Sequence, residues 1–322
     1  MCQYCGPLLK AIDAYLAKAN NDLTDSLKSA GFVKPKDTVK EIESLEDEIT
    51  EALEDEVTYY RKKASKTVDL KALKKIWPEI VEGDTTDRTL AKLFAEDFEK
   101  NIPKLATAYI KQVDPQLTVS TITARTTAWA SDWSGKLAEL MKLDTQTEIE
   151  KLLTDTLKEG KSVADFTQAL IDGEIRSERY RARSAALTET LRAHSVAQQE
   201  AITQNPAVES KEWVHTGEYR NSPRENHVAM NGVIVPKDEP FTLEGADGET
   251  YYPMYPRDPS LPPGESVNCH CIHRGIVNED ILGLSLEERK RLQQEAIDAD
   301  DGAWEKELDA QNKARAGIEE EP

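Results

Sequence analysis

The chain has 322 residues, enough for about two domains and for a core that needs no disulfide staples. Charged residues make up 31% and aromatic residues 6%, which suits solvated helices, and 41 Lys+Arg against 60 Asp+Glu leave a formal charge of -19. Such a charge repels phosphate on average and disfavours free-standing DNA binding. No run approaches the roughly 18 apolar residues of a membrane span. The opening MCQYCGPLLK lacks the basic and apolar segments of a leader, so the protein is expected in a cytoplasm, where Cys2/Cys5 and Cys269/Cys271 are free thiols or metal ligands.

Up to about Pro206 apolar residues recur at spacings of three and four, which predicts a succession of helices. Ile42, Leu45, Ile49, Leu53 and Val57 form one stripe. Glu41, Glu43, Glu46, Asp47, Glu48, Glu51, Glu54, Asp55 and Glu56 surround it and predict an acidic outer face, either a docking face for a basic partner or ordinary solvation. Trp129 and Trp133, four apart, read as core. Thr145 and Glu148 have the spacing of a capping box that starts a helix ending near Gly160, and Ser162 with Asp165 is a second start signal, with Gly173 as its stop. A further helix is expected from about Ile175 to Thr203. Arg176, Arg179 and Arg183 share one of its faces, a candidate contact for DNA or an acidic protein surface unless they are a solvated stripe offset by Asp172 and Glu178.

Beyond Asn205 the texture changes, because nine of the fifteen prolines fall before Gly264 and long helices do not survive that density. Lys211 to Val214, Val233 to Val235 and Thr250 to Tyr252 read as short strands, and Asn231-Gly232 is a hairpin-type dipeptide. A last helix begins at the capping box Ser285 to Glu288, and the acidic tail after about Ala303 is expected to fray. The expectation is thus a mainly α chain: a helical domain over 1–205, a small, loop-rich α+β unit over 206–280 and a C-terminal helix and acidic tail over 281–322.

All five histidines (His194, His215, His227, His270 and His273) lie in one stretch, and Asn268-Cys269-His270-Cys271-Ile272-His273 offers two thiols and two imidazoles on one short turn. Structural zinc takes about four such ligands in a tetrahedron, and a small Pro-rich unit gains most from one. The expected ligands are Cys269, Cys271, His227 and one of His273 or His215, with His273 placed first. Two buried thiols beside surface histidines are the plainer alternative. Cys2 and Cys5 have knuckle spacing and could instead join the other pair.

Trp213-Val214-His215-Thr216-Gly217, Arg224-Glu225-Asn226-His227, Asn231-Gly232, Pro256-Arg257-Asp258-Pro259 and Asn268-Cys269-His270-Cys271 follow one another in order. Together they resemble the C-terminal signature of Mu F-like phage head morphogenesis proteins, with Trp213, Arg224, His227, Gly232, Pro256, Pro259, Asn268, Cys269 and Cys271 on the motif positions. Ala186-Leu187-Thr188-Glu189 is similar to an A-R-T-E segment of that family, with Leu187 in place of Arg. The resemblance implies a minor head protein of the virion, assembled in the host cytoplasm. It also implies the portal and other head proteins as partners, weak contact with packaged DNA, a role in head morphogenesis or genome delivery, and no active site.

No Walker loop, G-x-S-x-G elbow or H-E-x-x-H occurs in the chain, which supports a non-enzymatic reading. The alternative is a zinc-dependent hydrolase or nuclease on His227, Cys269 and Cys271 with Glu225 or His215 as general base.

Overall fold

The computed structural model describes residues 19–172, 178–216 and 223–299. Its elements are helix α1 (19–30), α2 (Pro35–Ala64), α3 (Leu70–Glu82), α4 (Thr86–Val113), α5 (Ala124–Lys158), α6 (Val163–Asp172) and α7 (Glu178–Gln204), followed by a shorter mixed segment. That segment runs β1 (Val208–Val214), α8 (Glu225–Ala229), β2 (Ile234–Pro236), β3 (Leu243–Glu244), β4 (Thr250–Tyr251), α9 (Pro263–Ser266), β5 (Ile272–Val277), α10 (Glu279–Leu282) and α11 (Leu286–Asp298). The protein is mainly α, with short antiparallel strands confined to the C-terminal part. Among the described residues no helix is long and apolar enough to cross a membrane.

The described residues form two compact units: one within Met1–Ile42, Asn101–Thr127 and Thr188–Pro322, the other within Glu43–Lys100 and Ala128–Leu187. This division differs from a break at 205/206. The C-terminal strands are grouped with three helical stretches that precede them, so a chain cut at 205 is severed inside one unit.

In the second unit, Tyr60, Leu70, Leu73, Trp77, Ile80, Ile149, Leu153, Phe166 and Leu170 make the core. Asp69 starts α3 by accepting from the Ala72 N–H at 2.8 Å, and Asp84 accepts from the Thr86 N–H and hydroxyl ahead of α4. Ile42, Leu45, Ile49 and Leu53 are buried as the α2 stripe requires. The acidic outer face is narrower than expected, because Glu46 and Glu56 are themselves buried. Burial, followed by the nearby Asp84 carboxylate, pushes the Glu56 carboxyl up to about 8.

The expected helix start at Thr145 is not there. α5 runs through it, and the Thr145 hydroxyl donates back to the Met141 carbonyl while accepting from Arg181 at 2.8 Å. Capping spacing inside an already nucleated helix leaves the hydroxyl to bond the preceding turn instead. The end of the helix is as expected: Gly160 takes φ +68, and its N–H and that of Lys161 return to the Leu157 and Thr156 carbonyls. Ser162 and Asp165 form the reciprocal cap expected of them. Gly173 lies outside the described residues. Trp129 is half-buried with its ring centroid 5.3 Å from Phe98, and Trp133 is half-buried.

In the first unit, the C-terminal half of α7 is buried almost continuously although its sequence is polar. Its polar groups are tied inward. His194 bonds Thr38 through Nε2 and Tyr109 through Nδ1, both at 2.9 Å, and burial drives its pKa down to about 3, so the ring is neutral. Glu200 accepts from Thr123, Thr126 and Gln204. The sheet in this unit has strand order β2-β1-β5, all antiparallel, and β3 pairs with β4 separately. Gly275 faces Lys211 across β1 and β5, where an added Cβ would stand 2.7 Å from Val208 Cγ1. The Ser285 cap accepts from the Glu288 N–H as expected, and α11 is anchored by Arg289 on Asp114 at 2.7 Å.

Candidate metal centre

Three of the expected ligands meet. His227 on α8 and Cys269 and Cys271 ahead of β5 are all buried, and their ligand atoms lie within 4.8 Å of one another. His227 Nδ1 is 3.5 Å from Cys269 Sγ and 3.7 Å from Cys271 Sγ. Zinc–sulfur bonds of about 2.3 Å and zinc–nitrogen bonds of about 2.0–2.1 Å at a tetrahedral angle give a sulfur–nitrogen edge of about 3.6 Å. The two edges fit that figure.

His273 does not join these three. That ring is fully buried, its centroid lies 6.0 Å from that of Tyr255, and neither of its nitrogens has a hydrogen-bond partner in the structure. His215 Nδ1 instead stands 3.5 Å from Cys271 Sγ, a third edge of the right length, although His215 lies outside the mutual 4.8 Å of the other three. The β ladder accounts for the difference. His273 pairs with Trp213 within β5, while Cys271 and His215 both lie just past the last paired residues, where the ladder opens.

Each ligand is oriented by groups behind it. His227 Nε2 lies 2.8 Å from Glu265 Oε2, a hydrogen bond that fixes the orientation of the ring and turns Nδ1 towards the sulfurs. Burial works to raise the Glu265 carboxyl, but the Ala246 N–H, the Asn226 amide and His227 outweigh it and hold it below the usual range. A hydrogen bond from the Cys271 thiol is the largest influence on Cys269 and lowers its pKa against burial, with His227 and Arg257 adding to the effect; the same bond, with burial, raises Cys271.

Arg257, fully buried at φ +67, donates to the Cys269 and Cys271 carbonyls at 2.7 and 2.8 Å and to the Ser195 hydroxyl at 2.6 Å. Its own carbonyl accepts from Arg192, which Glu189 holds at 2.8 Å. Asn268, at φ +55, gives its N–H to the Thr188 hydroxyl, and Arg224 donates to the Val267 carbonyl at 2.7 Å.

These contacts explain the ordered motif. Arg224 pins the loop in front of the cysteines, and His227, one helical turn on, faces them. Trp213 is buried with its ring edge-on to those of His227 and Phe241. Gly232, at φ +84, returns its N–H to the Trp213 carbonyl. Pro256 and Pro259 flank the turn in which Asp258 accepts from the Met254 and Ser260 N–H groups. Glu265, Arg192 and Ser195 carried no sequence signal, since each acts through a contact distant in the chain.

Glu225, one candidate base, is exposed. Arg183 is not an open cation, because it pairs with Glu46 at 2.9 Å. Arg176 lies outside the described residues, as do Cys2, Cys5 and the side chain of Arg179.

The site thus belongs to a mainly α protein whose Cys/His cluster is built into a small antiparallel sheet. The family model described as "Phage Mu protein F like protein" matches residues 147–274, a span that contains every candidate ligand and every orienting group just described. The chain belongs to the Mu F-like phage protein family, a phage head-related group. It is 41% identical over 218 residues to "Uncharacterized protein YqbB" of Bacillus subtilis (strain 168), covering 64% of this chain and 70% of that protein. No solved structure matches the chain.

Proposed function

We propose that the protein is a minor head protein that docks on the phage portal, enters the virion in few copies after assembly in the host cytoplasm, and acts in head morphogenesis and genome delivery without an active site of its own. The observation that carries this reading is the convergence of the Mu F-like motif residues on one buried cluster within the matched span 147–274. A motif used wholly to build a folded unit is what a scaffold for assembly requires. The exposed acidic residues of α2, among them Asp47, Glu51, Glu54 and Asp55, supply a docking face whose charge steers encounter and fixes register more than it adds affinity.

In the same proposal the cluster holds one structural zinc through Cys269, Cys271, His227 and His215. Zinc supplies folding free energy there by tying α8 to the start of β5. The hydrolase or nuclease alternative needs a ligand position open to substrate. Burial of three ligands at 2–3% exposure and the approach of His215 to Cys271 favour a closed site.

The test is co-expression of the full chain with the portal protein of its own phage, followed by affinity capture of the portal. Co-purification that weakens with salt through the association rate supports docking. A folded chain that does not co-purify, and is absent from purified virions by mass spectrometry, refutes the head-protein reading.

A further inference from the structure

The turn joining α2 to α3 carries a charge pattern opposite to that of the chain. Residues 61–75 hold seven cations against one carboxylate, whereas the whole chain has 60 acids against 41 bases. The one carboxylate, Asp69, is committed to capping α3. Lys62, Lys63, Lys66, Lys71, Lys74 and Lys75 are all exposed, and among the described residues no ion pair joins any of them to an acid.

Solvation and helix electrostatics do not account for this placement. A helix dipole favours the basic last turn of α2, but it disfavours Lys71 in the first turn of α3 and does not reach Lys74 and Lys75 in the next. The acidic run of α2 ends at Asp55 and Glu56, and seven residues of helix put Lys62 about 10 Å from Asp55, beyond the screening length of about 8 Å at physiological salt. The balance of charge within 61–75 is therefore positive even though the net charge of the chain is strongly negative, and the next carboxylate on α3 is Glu79.

We propose that this helix–turn–helix corner, Arg61–Lys75, is a contact surface for the phosphate backbone of duplex DNA, without base specificity. Its chemistry fits a polyanion better than a folded protein. Lysine is depleted in protein interfaces, and here it makes up six of the seven cations, while the large apolar side chain exposed on the corner is Val68, with Ile76 just beyond it. Flexible point charges suit phosphates, which position a protein on DNA without reading sequence. The surface is distinct from Arg183, which Glu46 occupies, and it does not depend on the metal centre or on portal docking.

The test is fluorescence anisotropy of the full chain with a random-sequence duplex of about 25 base pairs at two salt concentrations. Contact with about five phosphates gives a log–log salt slope near -4.5, or roughly a 500-fold loss of affinity between about 50 and 200 mM salt. Changing Lys62, Lys66, Lys71, Lys74 and Lys75 to Gln should bring the slope to about -1 or shallower and cut low-salt affinity by roughly 50-fold or more. The control changes Lys92, Lys136, Lys151, Lys158 and Lys161 to Gln, the same loss of charge elsewhere in the same unit, and should shift affinity by less than about threefold. If circular dichroism shows the first variant misfolded, Lys71→Glu with Lys75→Glu replaces it, since carboxylates suit the start of α3. The proposal is overturned if the unmodified chain does not bind at low salt or if both quintuple variants lose affinity alike. It is overturned equally if the corner variant keeps DNA binding while losing co-purification with the portal, which would make an acidic protein surface the partner.

Discussion

Glu56→Gln isolates the energetic consequence of a carboxyl that the second unit buries on α2. In the folded chain burial, and then Asp84, push this group up to about 8 from the ordinary carboxyl value of about 4.5. The folded state thus keeps a proton that the unfolded chain releases between about pH 4.5 and 8, so stability present below 4.5 is lost as pH rises through the folded pKa. At pH 7 the penalty is about 2.5 units of about 1.4 kcal/mol each, or about 3.4 kcal/mol as an upper value. A glutamine of similar shape does not carry it. The expected outcome is a variant more stable than the unmodified chain by about 2–3 kcal/mol at pH 7, with little difference near pH 4.5. Urea unfolding of both proteins at several pH values between 4.5 and 8.5 measures the difference, and subtraction removes the contribution of all other groups. A difference between the two proteins that stays constant with pH would show that the folded state does not hold the proton on Glu56 and that the account of its burial is wrong.

Three further outcomes follow from the first unit. The purified chain should carry about one zinc, and Glu265→Gln should weaken metal retention by about 10- to 100-fold in a chelator competition while leaving the ligands in place; unchanged retention would remove Glu265 from the site. Arg257→Met should destabilise the chain by about 3 kcal/mol or more, because it strands the Cys269 and Cys271 carbonyls and the Ser195 hydroxyl; a loss under about 1 kcal/mol in urea unfolding would contradict this role. Gly275→Ala should cost about 1–3 kcal/mol through the clash with Val208, and pairing it with Val208→Ala should recover most of the loss.

Spacings of a few residues were enough for the helical class, the α2 stripe, the Ser162–Asp165 and Ser285–Glu288 starts and the strands β1, β2 and β4, but not for β3 or for β5, whose first residues read as part of a turn. The sequence also brought His227, Cys269 and Cys271 together as ligands, through chemistry that only a limited set of residues supplies. What tertiary structure decided lies beyond that range. Periodicity could not show that Glu56 on an acidic helix faces inward, since a polar position is buried only when a neighbouring helix covers it. The polar α7 is buried for the same reason: partners such as Thr38, Tyr109 and Thr123 satisfy it from far along the chain. Three residues separate Cys269 from His273, and either imidazole, His273 or His215, could have joined the thiols on spacing alone. The register of β5 against β1 seats His273 among Tyr255 and the buried strand face, and leaves His215 beside Cys271, because pairing across a sheet fixes which side chains can meet.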